Sequence, residues 1–334
     1  MKSGQPFSNF DNVKETRFGY LRKYNTQATW VTFALLIMFV ILSIASEPFA
    51  SPANISNIAR NFAFIGIVAL GQTLVIITAG IDLSVGSVMA LAGITTGVLM
   101  GAGYSIWVGV GGGIAISLLF GFCSGYLITR FKISPFIVTL GGLSIGRSLT
   151  MAATEGRPLW EFGPDTELFF TLGGSEFLGL ASPVWVMIVL GLIMGAMLKY
   201  TAWGKHVFAL GSNEHAAELT GVPTHRVKIS VYMIGALFAG ISGILLTSFL
   251  SSVTANLAEG YELRVIASSV IGGANLMGGQ GGAYGAIIGA LLIEVIRNGL
   301  LLLGVNPYWQ GTFVGMFIIL AVLLERAKGK KEAH

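Results

Sequence analysis

Between Lys23 and Glu47 the chain carries no charged side chain, and residues 30–45 read WVTFALLIMFVILSIA. A helix over such a run satisfies its own backbone and presents apolar side chains all round, which suits hydrocarbon rather than water. Similar runs recur at roughly 28–46, 57–79, 82–101, 106–129, 134–153, 183–199, 229–251, 262–279, 283–303 and 308–324. At ~20 residues per crossing they predict an all-α, polytopic membrane protein of about ten transmembrane helices. Charged residues make up only 11% of the 334 and hydrophobic ones 54%, where a soluble domain has about 25% charged. The Gly-rich blocks 57–101 and 262–303 must each be divided at a polar interruption, which predicts that some helices are broken.

Lysine and arginine set the expected orientation. Lys2, Lys14, Arg17, Arg22 and Lys23 precede the first run, Arg130 and Lys132 lie in the link 130–133, and Lys199, Lys205, Arg226 and Lys228 fall in 199–228. Arg326, Lys328, Lys330 and Lys331 close the chain. An even number of crossings puts all four groups on one side, the cytoplasm by the positive-inside rule. The segment 154–182, with Glu155, Glu161, Asp165, Glu167 and Glu176 against Arg157, then faces the opposite side. The expected organisation is a cytoplasmic tail at 1–27, without the features of a cleaved signal peptide. A transmembrane domain at 28–325 and a cytoplasmic tail at 326–334 follow. Within the domain, 200–228 is the long cytoplasmic loop and 154–182 the long outer one.

Small residues four apart, as in Gly93/Gly97/Gly101, Gly109/Gly113, Gly121/Gly125 and Gly281/Gly285/Gly289, predict flat helix faces that allow close packing. A weak internal echo aligns GIDLSVG at 80–86 with GANLMGG at 273–279, pairing Asp82 with Asn275 and Gly86 with Gly279. Paired irregular segments of this kind point to a transport pathway.

Several chemistries find no support. The chain has no G-x-x-x-x-G-K-[ST] loop for nucleotide, no H-E-x-x-H and no cysteine pair for a metal. His206, His215 and His225 share no helix face and are expected to be solvated. Gly142-Leu143-Ser144-Ile145-Gly146 lies in an apolar helix, without the strand–turn–helix context of a nucleophile elbow. The single Cys123 is expected to be a small buried apolar group. A net charge of +4, scattered along the chain, gives no reason to expect nucleic acid.

The candidate intramembrane ionisable groups are Asp82, Arg147, Glu294 and Arg297. Intramembrane charges face a bundle interior or water and pair with one another. Glu294 and Arg297, three apart on one helix, are expected to neutralise each other. Arg147 is expected to snorkel or to reach another carboxylate. Asp82, flanked by Gly80, Ser84 and Gly86, is expected to cap the helix after a break, accepting from its opening N–H groups. Direct contact with a transported solute is the other reading. Gln72, Thr73, Asn275, Gln280 and Asn298 are neutral polar groups suited either to sugar hydroxyls or to interhelical hydrogen bonds. In 203–228, Ser212 or Asn213 can cap a short helix over 214–220 that Gly221 and Pro223 stop.

These motifs carry a family resemblance over roughly residues 50–325. ITAGIDLSVGSVMALAG at 77–93, PFIVTLGGLSIGRSL at 135–149, ALGSNEHAAELTGV at 209–222 and SSVIGGANLMGGQGGAYGAIIGALLI at 268–293 resemble the ribose/xylose/arabinose-type permeases of bacterial ABC importers. One departure is Arg147-Ser148, where that family usually has Arg-Gly. The resemblance implies a ten-span inner-membrane subunit that moves a monosaccharide, a ribose-like pentose or similar small sugar. It implies a second permease subunit, a periplasmic sugar-binding protein, and a cytoplasmic ATPase that holds the ATP and Mg, so this chain binds no cofactor and is not itself an enzyme. Carried over by position, Asn213, Glu214, Ala216, Ala217, Glu218 and Gly221 form the helix that couples to the ATPase. The alternative expectation is an ion-coupled secondary transporter with Asp82 or Glu294 as its ion site.

Overall fold

The computed structural model describes residues 27–309, 311–313 and 315–316. Helix α1 (Gln27–Ala45) leads through a short 3-10 turn into α2 (Pro52–Ile77), and α3 (Val85–Gly101), α4 (Ile106–Phe131) and α5 (Pro135–Thr154) follow. A short α6 (Thr166–Gly174) and a two-stranded hairpin, β1 (Glu176–Phe177) with β2 (Leu180–Ala181), precede α7 (Ser182–Tyr200). Then come α8 (Ala202–Ser212), α9 (Glu214–Leu219), α10 (Thr224–Leu250), α11 (Tyr261–Ile271) and α12 (Ala283–Leu302).

Among the described residues seven helices are long and apolar enough to cross a bilayer: α1, α2, α4, α5, α7, α10 and α12. The chain is thus an all-α, multi-pass membrane protein. Helix α3, with 17 residues, is apolar but shorter. The run expected to span 262–279 is helical only as far as Ile271, because Gly272, Gly273, Gly278, Gly279, Gly281 and Gly282 deny the next stretch helix propensity. The expected tails 1–27 and 326–334 lie outside the described residues apart from Gln27, as does most of the run 308–324.

Helices α2 and α10 form the centre. In α2, 89% of the most apolar window is buried by protein, against 17% in α1. Ser51 starts α2 by accepting from Asn54 N–H with Pro52 in the first turn. The helix therefore begins before its apolar run does, and it buries Asn54 in a reciprocal amide pair with Asn298, at 2.9 and 2.8 Å. Ser242 Oγ of α10 donates to Phe64 O of α2 at 2.8 Å.

The glycine ladders are seams inside this one chain. A Cβ at Gly121 would lie 2.5 Å from Tyr232 O of α10, and one at Gly285 would lie 2.0 Å from Gly272 O. Cys123 corrects its expectation: it is exposed, on the outward face of α4 beside exposed Phe122, because its turn buries Gly121, Ser124 and Gly125 instead. The segment 154–182, expected as a loop, folds over the bundle. Phe162 and Phe169 are fully buried with ring centroids 5.0 Å apart, and Leu159 pairs with Val253 in an antiparallel bridge.

Candidate functional site

Helix α2 ends by design of its sequence. Ala79 takes a left-handed φ of 57° and Gly80 N–H donates back to Val75 O at 3.0 Å, closing the last turn. Gly80 leaves room for Tyr232 of α10, whose hydroxyl would lie 2.5 Å from a Cβ there. That hydroxyl is buried and has no hydrogen-bond partner.

Asp82 lies in the resulting break and is 3% exposed. Its Oδ1 accepts from Ser84 N–H at 2.8 Å and from Ser84 Oγ at 2.6 Å. The expected cap is therefore corrected in detail. The carboxylate closes an Asx turn onto Ser84, the residue before α3, rather than accepting from N–H groups within α3. Ser84 O in turn receives Val88 N–H and Ser87 Oγ. The Gln72 amide faces the Asp82 backbone: oriented to satisfy both groups, its nitrogen donates to Asp82 O and its oxygen accepts from Asp82 N–H, 3.2 Å each. Thr139 of α5 adds a hydrogen bond to Ile81 O. Gln72 and Asn298 thus hold protein partners.

The second break has the same local design. Asn275 Oδ1 accepts from Met277 N–H at 2.7 Å, an Asx turn at the position that the internal echo pairs with Asp82. Gln280 is exposed, and its carbonyl accepts from Asn275 N–H. The two breaks touch: Gly279 N–H donates to Ile77 O at 2.9 Å. Gly211, at the end of α8, packs on the same point, with no room for a Cβ beside Ile77 O or Gly279 N. Two interrupted helices and the root of α9 thus meet at one junction.

From there α9 projects outward. Asn213, not Ser212, caps it, accepting from Ala216 N–H at 2.9 Å. Ala217 is buried, Gly221 ends the turn with φ +85°, and Glu214, Ala216, Glu218 and Leu219 are exposed, Leu219 by 76%. Glu214 is tied to Lys228 of α10 at 2.8 Å. A cavity of about 480 Å³ lies between α9, the α4–α5 link and the start of α10, lined by Lys132, His215, Glu218 and His225 among others. His215 and His225 are exposed and His206 is half-buried.

Glu294 (1% exposed) and Arg297 form a two-point ion pair, with Arg297 Nε 2.8 Å from Glu294 Oε2 and Nη2 on Oε1. Arg147 makes no salt bridge within 4.0 Å; it donates Nη1 to Ala255 O and Leu257 O, both at 2.8 Å. The chain dips inward there, burying Val253, Ala255, Leu257 and Ala258 between α10 and α11. Glu262, at the start of α11, was not among the expected intramembrane charges, because it stands at the edge of its apolar run. Among the described residues no group of three or more His, Cys, Asp or Glu is placed to hold a metal.

Comparison with known proteins places this geometry in a family. Residues 54–322 match the family described as branched-chain amino acid transport system / permease component. The ribose import permease protein of Haemophilus influenzae is 36% identical over 300 residues, covering 90% of this chain and 93% of that one. The corresponding protein of Bacillus subtilis is 38% identical over 294 residues, covering 88% and 91%. The L-arabinose transport system permease protein of Escherichia coli K12 is 34% identical over 305 residues, covering 90% and 92%. The match runs through both helix breaks, the buried charges and α9, and on that extent this chain belongs to the permease-component family of branched-chain amino acid transport systems.

Proposed function

We infer that this chain is the translocation subunit of an ATP-driven importer for a pentose or similar small sugar, in a bacterial inner membrane. The observation that carries it is the end-to-end similarity to ribose and L-arabinose permeases. The neutral polar groups buried on the spans, Gln72, Thr73 and Asn298, agree with an uncharged solute. On this reading the chain crosses the membrane about ten times with both termini in the cytoplasm. The segment 154–182 meets a periplasmic sugar-binding protein, and 200–228 meets the ATPase, which supplies ATP and Mg. A second permease subunit completes the pathway.

Helix α9 is the mechanical link. Its exposed Leu219, Ala216 and Glu218 present a small mixed surface for a cleft in the ATPase, while the Glu214–Lys228 pair and buried Ala217 tie it to α10. A shift of α9 pulls on Gly211, and through it on Ile77 and Gly279, where both breaks meet. The breaks then change the inner opening of the pathway. Scrambling 213–221 is expected to abolish assembly with the cognate ATPase in a pull-down and ATP-driven uptake in reconstituted vesicles. Unchanged assembly overturns the coupling role. Uptake that persists without any ATPase and collapses with an ion gradient overturns the importer reading itself.

Asp82 provides a local test. Asp82→Asn keeps an acceptor for Ser84 N–H and is expected to retain most of the uptake. Asp82→Ala leaves buried donors unsatisfied, at about 1–3 kcal/mol each, and is expected to lower uptake several-fold. Equal initial rates for Asp82→Ala and wild type contradict a role for the Asx turn.

A further inference from the structure

Arg147 and Glu262 end in two atoms that the fold leaves without partners. Arg147 Nη1 is committed to Ala255 O and Leu257 O, but its Nη2 is buried and makes no hydrogen bond. Glu262 Oε2 is likewise buried and unpartnered. Both converge on the first turn of α3. A Cβ at Gly86 would lie 2.6 Å from Glu262 Oε2, 2.7 Å from Ala258 O and 3.4 Å from Arg147 Nη2. Yet no salt bridge within 4.0 Å joins the two charged groups. Gly86, by lacking a side chain, lets the carboxylate, the Ala258 carbonyl and the guanidinium all pack against the first turn of α3.

The two residues are half-buried, but these two atoms are buried, and a buried donor and acceptor left without hydrogen bonds are costly unless something completes them. A guanidinium only donates and a carboxylate only accepts, so the missing group must accept from one and donate to the other. A hydroxyl does both, and two hydrogen bonds of ~2.8 Å span such a gap. A cationic or anionic ligand would satisfy one side and repel the other. A sugar offers hydroxyls on neighbouring carbons, each able to present this donor–acceptor pair. The surroundings match: Thr254, Asn256 and Glu259 are exposed on the segment that Arg147 holds, and Ala258 O faces the same point. Because Arg147 grips Ala255 and Leu257, movement of 251–260 also governs access to the gap.

We propose that Arg147 and Glu262, brought together where Gly86 has no side chain, form a station that recognises a hydroxyl of the passing sugar. This deepens the sugar-importer reading and rests on it.

The test uses the complete reconstituted importer with its ATPase and binding protein. Initial ATP-driven uptake is measured for the pentose that the wild-type complex carries and for each of its monodeoxy analogues. The binding protein's own discrimination is common to every permease variant, so it cancels in the ratio of parent to analogue, as in a double-mutant cycle. In wild type, loss of the recognised hydroxyl is expected to lower uptake. In Glu262→Gln and in Arg147→Lys, that same ratio is expected to shrink at least about fivefold, on the order of one charge-assisted hydrogen bond, while the other analogues keep their ratios. Glu262→Asp retains the charge on a side chain one methylene shorter and is expected to fall between. A purely architectural pair, or one bridged by water alone, lowers uptake of all sugars in proportion and leaves every ratio unchanged, which overturns the proposal. Absence of ATP-driven pentose uptake by the wild-type complex overturns the importer reading instead, so the two failures are distinguishable.

Discussion

Replacing Arg297 with methionine is expected to destabilise the permease by about 3–5 kcal/mol, the range found when one partner of a buried ion pair is removed. The reason lies in the asymmetry of the pair. Glu294 is 1% exposed and receives two hydrogen bonds from a guanidinium that is itself 22% exposed in its side chain. Without Arg297 the carboxylate has no way to reach water from the interior of α12. Without Glu294, by contrast, the Arg297 head needs only a small movement to reach solvent or lipid headgroups. The expected order of damage is therefore Arg297→Met, then Glu294→Met, with the double methionine variant closest to wild type because it leaves no uncompensated charge. Thermal unfolding of purified permease in detergent, followed by loss of the monodisperse species, reads that order. A double variant less stable than either single one contradicts it.

Gly211→Ala is expected to be the most damaging change of a single methyl group. The added Cβ would stand 1.7 Å from Ile77 O, 2.7 Å from Gly279 N and 2.8 Å from Ile77 C. All three are backbone atoms, so no side chain can swing aside. Helix α8 must withdraw or the Gly279–Ile77 hydrogen bond must open, and overpacking of this severity costs about 3 kcal/mol or more. Because the contact joins α9 to both helix breaks, ATP-driven uptake is expected to fall by at least an order of magnitude even in protein that still assembles. Gly195→Ala is the matched control: its Cβ would meet only Ala283 Cβ, at 3.8 Å. Wild-type stability and uptake in Gly211→Ala contradict the junction.

The long apolar helices were legible in the sequence because each carries its own signal, twenty or so apolar residues in a row. So was the Glu294–Arg297 pair, since spacing along one helix fixes it. Helix α8 was missed although its start is marked: Thr201 Oγ1 accepts from Gly204 N–H, and Val207 and Leu210 recur on one buried face. Its lysine and histidine made the stretch read as loop. The partners of Arg147 could not be inferred, because they are carbonyls more than a hundred residues away whose side chains, Ala255 and Leu257, advertise nothing. The Asp82 turn was half legible. Aspartate, serine and glycine announce a break, but whether the carboxylate reaches Ser84 or the next helical turn depends on Gln72 and Thr139 fixing the backbone around it.

The burial of α2 also bears on how the chain is made. Its neighbours α10, α11 and α12 emerge from the ribosome long after it, by roughly 7–45 s at ~5–20 residues per second. Throughout that interval α2 must sit in the bilayer or its insertion machinery with the Asn54 amide lacking its Asn298 partner, although Asn54 is buried in the finished fold. The helix at the heart of the structure is thus the one least able to stay in lipid alone. Biogenesis depends on holding an early segment until a late one arrives.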